Sequence, residues 1–445
     1  MSTMSVAVIG AGPAGLVATK TLIGVGLDVT CFEMSPYVGG HWKIDNPNGR
    51  AAAYESLTTN TSKAMSRLSD YEMPEDWPML PTHEHLYRWW CDYAEQFELA
   101  VDIRLETEVM RVERKTDAWA VVTRDAAAVE RTQLFDAVLL ASGAYWQPQL
   151  PAGIENFSGA YIHAVDYRSP QRPLQTAGKR VLVIGSSNTG CELALELARA
   201  GDRQVVMSAR SGNWILPKFI DTAEGPVHIS TNAQLSHPLD DVPSLIARLP
   251  RRAREALFGW LAKRIFARQF GAYAQRLTAA GMPPPPANPL AKRPAVADRL
   301  AEALEEGVLR AMPGIERFDG EQVKFCDGST EVFDAVICAT GYALAYPYVD
   351  ASILDTSNGD VELFMGLMHP QAQNLFVVGV SRPTGGFWPI AEAQAQFIAQ
   401  LLSGRYRLPG PKQIARLTSP TLKRDSFNPA LYGLALREEL RRGAV

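Results

Sequence analysis

The sequence predicts an α/β protein of two doubly wound units, each a parallel sheet wrapped by helices. Three observations carry this prediction. Val6–Ile9 is a short apolar run that enters the glycine turn Gly10-Ala11-Gly12-Pro13-Ala14-Gly15, and a helical pattern follows. Val181–Ile184 repeats the arrangement, with Gly185-Ser186-Ser187-Asn188-Thr189-Gly190 as its turn. Each copy also has a downstream echo: Phe135-Asp136-Ala137-Val138-Leu139-Leu140-Ala141-Ser142-Gly143 matches Phe333-Asp334-Ala335-Val336-Ile337-Cys338-Ala339-Thr340-Gly341.

The residue types at each turn have separate tasks. A first glycine permits the tight turn, a middle one lets backbone approach a pyrophosphate at the helix N-terminus, and a third lets helix and strand pack closely. Gly10, Gly12 and Gly15 fill these places in the first copy, and its second strand, Asp28–Phe32, ends at Glu33, an acceptor for an adenosine ribose. In the second copy Ser187 replaces the middle glycine with a small side chain. Its second strand, Gln204–Ser208, ends without an acid, and Arg210 follows. An acid there would repel a 2′-phosphate, whereas a guanidinium binds it. The first turn is read as an FAD site and the second as an NADP(H) site, both on Rossmann-like domains.

Composition narrows the class further. The 445 residues are 47% hydrophobic and 21% charged, with net charge −4, which excludes a disordered chain and a whole-protein basic field for nucleic acid. No apolar run is long enough for a transmembrane helix, and the N-terminal segment does not read as a signal peptide, so a cytoplasmic protein is expected. The five cysteines form no CxxC pair, which argues against a dithiol centre or zinc ribbon. His83-Glu84-His85 invites a metal reading, but histidines two apart cannot share a helical face. Thr82 is read as the cap of the following helix, with Trp89 and Trp90 packing beneath it, and no metal is expected.

With these residues in view, the chain resembles the flavin-containing monooxygenases, the class B flavoprotein monooxygenases, over nearly its whole length. Phe157, Gly159, His163 and Tyr167 match the family's FxGxxxHxxx(Y/F) signature, and their role is read as structural or domain-linking. The related Baeyer–Villiger enzymes carry Trp where this chain has Tyr167. Phe32-Glu33 through Gly39-Gly40-His41-Trp42 is similar to the FE…GGxW stretch along FAD. Tyr54-Glu55-Ser56-Leu57-Thr58-Thr59-Asn60-Thr61-Ser62-Lys63 is similar to the YxSLxxNxxK segment. Ala339-Thr340-Gly341-Tyr342 matches ATGY, and Ser208-Ala209-Arg210-Ser211-Gly212-Asn213-Trp214 is similar to SxRxGxW. Asn374–Gly379 and Gly386-Phe387-Trp388-Pro389 resemble the closing strand and helix of the FAD domain.

The resemblance implies an NADPH- and O2-dependent enzyme. In such enzymes a C4a-hydroperoxyflavin gives one oxygen to a soft nitrogen or sulfur nucleophile of a small organic substrate. Asn60 inherits the catalytic place facing the flavin ring. Gly10, Gly12, Pro13, Ala14, Gly15, Glu33, Gly40, Trp42, Thr59, Asn60, Val109, Ala141, Ser142, Gly143 and Gly379 are the FAD candidates. Gly185, Ser186, Ser187, Asn188, Thr189, Arg210, Ala339, Thr340 and Gly341 are those for NADP(H). Baeyer–Villiger oxygenation, aromatic hydroxylation, oxidative decarboxylation, a non-oxygenating reductase and a nucleotide-binding sensor stand as alternatives. A homodimer is a family expectation.

The FAD domain is expected over 1–168 and 336–445, and the NADP domain over 169–335 with a helical elaboration at 212–300. In that elaboration Leu257, Trp260, Leu261, Ile265 and Phe270 recur at near-helical spacing among basic residues. The expectation is a helix packed on the NADP domain, over the substrate entrance or on a second subunit, with a membrane-surface helix as the alternative. Pro283–Pro286 is read as a stiff connector and Asp298–Glu306 as a helix. Trp214, Tyr342, Tyr346 and Trp388 suggest an apolar substrate pocket between the domains.

Overall fold

The computed structural model describes residues 3–201, 204–222, 225–229, 237–238, 240–381, 383, 385–420 and 428–445. Two five-stranded parallel sheets organise it. The first runs Leu375–Val377, Ala137–Leu140, Ser5–Ile9, Asp28–Phe32, Ile103–Arg104. The second runs Ala160–His163, Ala335–Cys338, Arg180–Ile184, Gln204–Ser208, Leu309–Met312. Helices cover such sheets on both faces, so the central strands read as continuous apolar runs rather than alternating ones. Val6, Val8, Val181 and Val183 are accordingly fully buried.

The internal echo is a duplication of topology. In each sheet the strand entering the glycine turn lies between its second strand and the strand of the echo motif. The likeness extends further than the motifs. Each third strand leads into a three-stranded antiparallel meander that returns to the echo strand. The meander is Thr107–Arg114, Trp119–Asp125 and Glu130–Phe135 in one unit, and Ile315–Asp319, Gln322–Phe325 and Thr330–Val332 in the other.

The outermost strand breaks the symmetry. In the first sheet it comes from late in the chain, whereas in the second it is Ala160–His163, upstream of the glycine turn. By strand membership the second unit therefore begins before residue 160 and ends after residue 338, where the sequence reading placed the crossings at 168 and 336. The echo Phe333–Gly341 is thus a strand of the second sheet, as Phe135–Gly143 is of the first.

Helix Pro13–Ile23 lies against the first sheet and helix Asn188–Arg199 against the second, burying Leu16, Val17 and Leu22 in one and Leu193, Ala194 and Leu197 in the other. Trp89 and Trp90 are buried on helix His83–Gln96, whose N-cap is Thr82; its hydroxyl accepts from the His85 amide at 3.4 Å. The elaboration at 212–300 is not purely helical. Ile215–Leu216 pairs with Ala295–Val296, and Phe219–Thr222 with Gly225–His228. The helix expected over Asp298–Glu306 is Leu300–Glu305. The proline connector packs closely: Trp214 Nε1 donates to Pro286 O at 2.9 Å.

The long helix is Arg251–Ala279. Phe270, Ala274 and Leu277 are buried, but Trp260, Leu261 and Ile265 are 52%, 38% and 46% exposed, so only part of the expected stripe packs on the protein. No described helix is long and apolar enough to cross a membrane. Arg254 fixes the helix to the C-terminal helix Pro429–Arg442 through a two-pronged pair with Glu438, at 2.8 and 2.6 Å. Arg254 is 4% exposed, so removing Glu438 strands a buried guanidinium. Glu438→Ala is expected to cost on the order of 3 kcal/mol, measured by denaturant unfolding, with Glu438→Gln milder.

Candidate active site

The first glycine turn is shaped by backbone contact. Gly10 has φ +105°, and its amide donates to Phe32 O at 2.8 Å. A Cβ on Gly15 would fall 1.7 Å from Gly10 O, so helix and strand meet closer than any side chain allows. Gly12 caps helix Pro13–Ile23 with no side-chain hydrogen bond, leaving the first-turn amides free for an anion. Gly40 stands opposite: a Cβ there would lie 3.1 Å from the Gly12 Cα. Gly39 N donates to Ala11 O at 2.9 Å, fixing the Gly39–Trp42 turn over the glycine turn. Ala14 is buried, and Gly379 packs so closely on it that a Cβ on Gly379 would lie 2.6 Å from its methyl. Glu33 is buried at the strand end, with Ala11 N donating to Oε2 at 2.8 Å and Ser35 N to Oε1 at 2.9 Å. Burial raises its carboxyl above the usual range, and these amides oppose the rise. The carboxylate keeps acceptor capacity for a ribose hydroxyl.

The second turn repeats this construction. Gly185 N donates to Ser208 O at 2.9 Å, and a Cβ on Gly190 would lie 2.0 Å from Gly185 O. Ala339 closes on Gly185 as Ala141 closes on Gly10. Ser187 is the exposed N-cap of helix Asn188–Arg199 and makes no side-chain cap bond; Ser186 and Thr189 are half-buried beside it. Asn188 Oδ1 accepts from Val296 N at 2.7 Å, which ties the returning strand of the elaboration to the turn. Arg210 is exposed and forms no ion pair among the described residues. Lys292 is a second cation at this place, donating to Ser211 Oγ at 2.8 Å and Gly212 O at 3.2 Å. Sequence spacing gave no sign of it, because only the folded elaboration brings Lys292 to Ser211.

His163 joins the two connectors between the sheets. Tyr342–Ala343 pairs antiparallel with Gln147–Pro148, and Gly341 O accepts from Gln149 N at 3.0 Å. His163 Nε2 lies 3.0 Å from the same carbonyl, while its Nδ1 accepts from Val165 N at 3.1 Å. The second contact places the single proton on Nε2, so the imidazole is neutral. Burial lowers its pKa from the ordinary 6.5, with the Gly341 bond acting in the opposite sense. Thr340 Oγ1 donates to Gln149 O in the same ribbon. Gly143 and Gly341, at φ +81° and +84°, sit at the ends of the two sheet-to-connector turns. Phe157 is buried against Phe318, and a Cβ on Gly159 would meet the Phe157 ring at 2.7 Å. Tyr167 donates to Glu196 on helix Asn188–Arg199 at 3.1 Å.

Three buried polar atoms lack a partner among the described residues and fall on residues singled out for FAD: Trp42 Nε1, Thr59 Oγ1 and Asn60 Oδ1. Burying such groups unsatisfied is costly, so one donor, one hydroxyl and one acceptor fit a polar ring system that supplies both acceptors and donors. The glycine turn, Glu33 and these three atoms together suit a flavin dinucleotide. Ser142 Oγ lies 2.7 Å from the Tyr348 hydroxyl. Val109 is buried in a core cluster with Phe32 and Leu140.

The four aromatics expected to form one pocket are dispersed. Tyr346 is 4% exposed in the first unit's core, Trp214 packs on Phe266, Trp388 packs with Trp42, Trp89 and Trp90, and Tyr342 stacks edge-on to His163. Large aromatics are the residues a core and its lining share, so composition could not separate the two. Among the described residues no group of three or more His, Cys, Asp or Glu is placed to hold a metal.

The flavin-binding monooxygenase-like (FMO-like) family model matches residues 3–433. Dimethylaniline monooxygenase (N-oxide-forming) 2 of Oryctolagus cuniculus is 30% identical over 450 residues, covering 98% of this chain and 79% of the relative. Flavin-containing monooxygenase 3 of Rattus norvegicus is 33% identical over 418 residues, covering 91% and 75%.

The chain belongs to the flavin-containing monooxygenase family.

Members of this family are oxidoreductases that use FAD and NADPH, and this chain is such a monooxygenase. Solved structures agree in fold. S-allyl-L-cysteine S-oxygenase from Allium sativum superposes with TM-score 0.69 at 21% identity, covering 100% of this chain and 90% of that one. Cyclohexanone monooxygenase gives 0.70 at 19%, covering 98% and 97%.

The glycine contacts separate the two cofactors experimentally. Gly15→Ala is expected to abolish FAD retention. Gly190→Ala is expected to keep the yellow protein and lose NADP+ binding, measured by flavin absorbance and by titration with NADP+. A neutral His163 contributes stability that is present above its unfolded pKa near 6.5 and is lost as pH falls below it. His163→Asn keeps one acceptor and one donor but cannot titrate. The fall in Tm between about pH 7 and pH 5 is therefore expected to be smaller in this variant than in the parent protein.

Proposed function

We propose that this monooxygenase transfers one atom of O2 to a nitrogen or sulfur centre of a small organic substrate, with NADPH as reductant. The observation that carries the reading is Asn60. Its buried amide oxygen lacks a partner among the described residues, and its segment lies on the seam between the two nucleotide units. Flavin held here would supply the activation of O2 and an electrophilic oxygen. The chain supplies binding, orientation and dryness. The turn at Gly10–Gly15 holds the pyrophosphate, and Glu33 the ribose. Arg210 and Lys292 bind the 2′-phosphate that distinguishes NADPH from NADH. Asn60 and Thr59 would offer hydrogen bonds to the flavin, and the apolar body of Trp42 would help keep water away. An electrophilic oxygen reacting with a lone pair needs no protein acid or base.

Nitrogen or sulfur is favoured over carbon by two supports. Tyr167 stands where Baeyer–Villiger enzymes carry Trp. The rabbit relative is named for N-oxide formation, and the Allium protein for S-oxygenation.

The test is turnover under 18O2 with N,N-dimethylaniline, an alkyl thioether and a cyclic ketone, each followed by mass spectrometry. Label in an N-oxide or sulfoxide supports the proposal. A labelled lactone alone sinks it in favour of carbon-centre chemistry. Arg210→Ala is expected to raise KM for NADPH about 10- to 100-fold, as losing a charged hydrogen bond of ~1.5–3 kcal/mol implies, and to leave KM for NADH unchanged. Asn60→Ala is expected to cut product roughly tenfold or more while peroxide released per NADPH rises.

A further inference from the structure

Lys218 belongs to no motif read from the sequence, and the fold places it in the seam. It follows strand Ile215–Leu216, and its carbonyl accepts from Ile229 N at 3.0 Å. Its Nζ lies 3.0 Å from Glu192 Oε1 and donates to Thr58 Oγ1 at 3.2 Å. The other Glu192 oxygen accepts from the Tyr54 hydroxyl at 2.6 Å. The Lys218 and Glu192 side chains are only 12% and 14% exposed, so solvent screens the pair weakly.

Both ends of this clasp matter. Glu192 is one helical turn beyond Asn188, on the helix whose N-terminus forms the second nucleotide turn. Thr58 is two residues before Asn60. The main chain there belongs to the first unit: Thr59 N donates to Pro81 O and His83 N to Leu57 O, both at 3.0 Å. The Tyr54 and Thr58 side chains reach Glu192 and Lys218 of the second unit.

We propose that Lys218 is a positioning residue for Asn60, coupling the NADP(H) turn to the Thr58–Asn60 segment through Glu192. The ammonium has two tasks. It neutralises a carboxylate that would otherwise be held at the seam by a phenol alone, and it fixes the hydroxyl of Thr58. A shift of helix Asn188–Arg199 when nucleotide binds is then felt beside Asn60. The inference rests on the proposed reaction only for the task given to Asn60.

The test uses the FAD-bound full chain as Lys218→Met, Lys218→Arg and Glu192→Gln. The first readout is amide hydrogen exchange of the Leu57–Ser62 peptide, measured without NADPH or turnover. The second is peroxide released per NADPH consumed. Lys218→Met is expected to speed exchange in that peptide about tenfold or more, leave helix Pro13–Ile23 unchanged, and at least double the peroxide ratio. Lys218→Arg restores both towards the parent values, because a guanidinium keeps the pair. If Lys218→Met does not retain FAD, Glu192→Gln carries the same test, since it keeps Lys218 and the Tyr54 contact. Unchanged exchange at Leu57–Ser62 overturns the proposal, as does faster exchange spread evenly over the molecule. A parent enzyme that yields only peroxide with every substrate would defeat the oxygen-transfer reading, while the exchange result would still decide the clasp.

Discussion

Everything in this molecule hangs on the place where a glycine turn is crossed by the end of a neighbouring strand. Gly10, Gly15 and Ala141 meet in one unit, and Gly185, Gly190 and Ala339 in the other, at separations no Cβ could occupy. That contact sets the angle at which each helix leaves its sheet. The angle aims uncapped amides at the crevice outside the carboxyl ends of the strands, where α/β sheets bind ligands. The echo motifs follow from the same constraint. Ala141 and Ala339 are small because they close on the turn, and Gly143 and Gly341 then release the chain towards the other unit.

The two units meet through connectors and through side chains. The connectors form an antiparallel ribbon, and His163 fastens it by serving one carbonyl and one amide at once. The side chains form a row from Tyr54 and Thr58 across to Glu192 and Lys218. Arg168 and Arg172 extend it at the surface, pairing with Asp45 and Glu55. The exposed pairs contribute little to stability, but the half-buried ones fix the relative placement of groups that must act together.

The strand, turn and helix at each glycine motif, and the use of FAD and NADPH, were legible because their signals are local. A strand, a turn and a helix that are contiguous in sequence carry their own small residues, and Glu33 or Arg210 lies a fixed distance beyond. The outer strand Ala160–His163 was not legible as part of the second sheet. Its partner, Ala335–Cys338, is far away in the chain, and short half-exposed strands carry little pattern of their own. The long helix shows the opposite failure. Its apolar spacing announced a helix, but periodicity says only which residues share a face, and here Trp260, Leu261 and Ile265 face solvent.

The sequence by itself therefore determined the fold class, the duplicated plan and the two glycine turns. These depend on backbone conformations that only certain residues allow within a few positions of one another. The tertiary structure alone decided that Lys292 stands beside Ser211, that His163 clamps the connectors at Gly341, that the aromatics form no single pocket, and that Lys218 reaches both Glu192 and Thr58. Each of those contacts joins side chains from segments that become neighbours only when two sheets and an elaboration have packed. No local propensity encodes such a meeting. It is fixed by the burial of apolar faces elsewhere, which brings the polar groups together as a consequence.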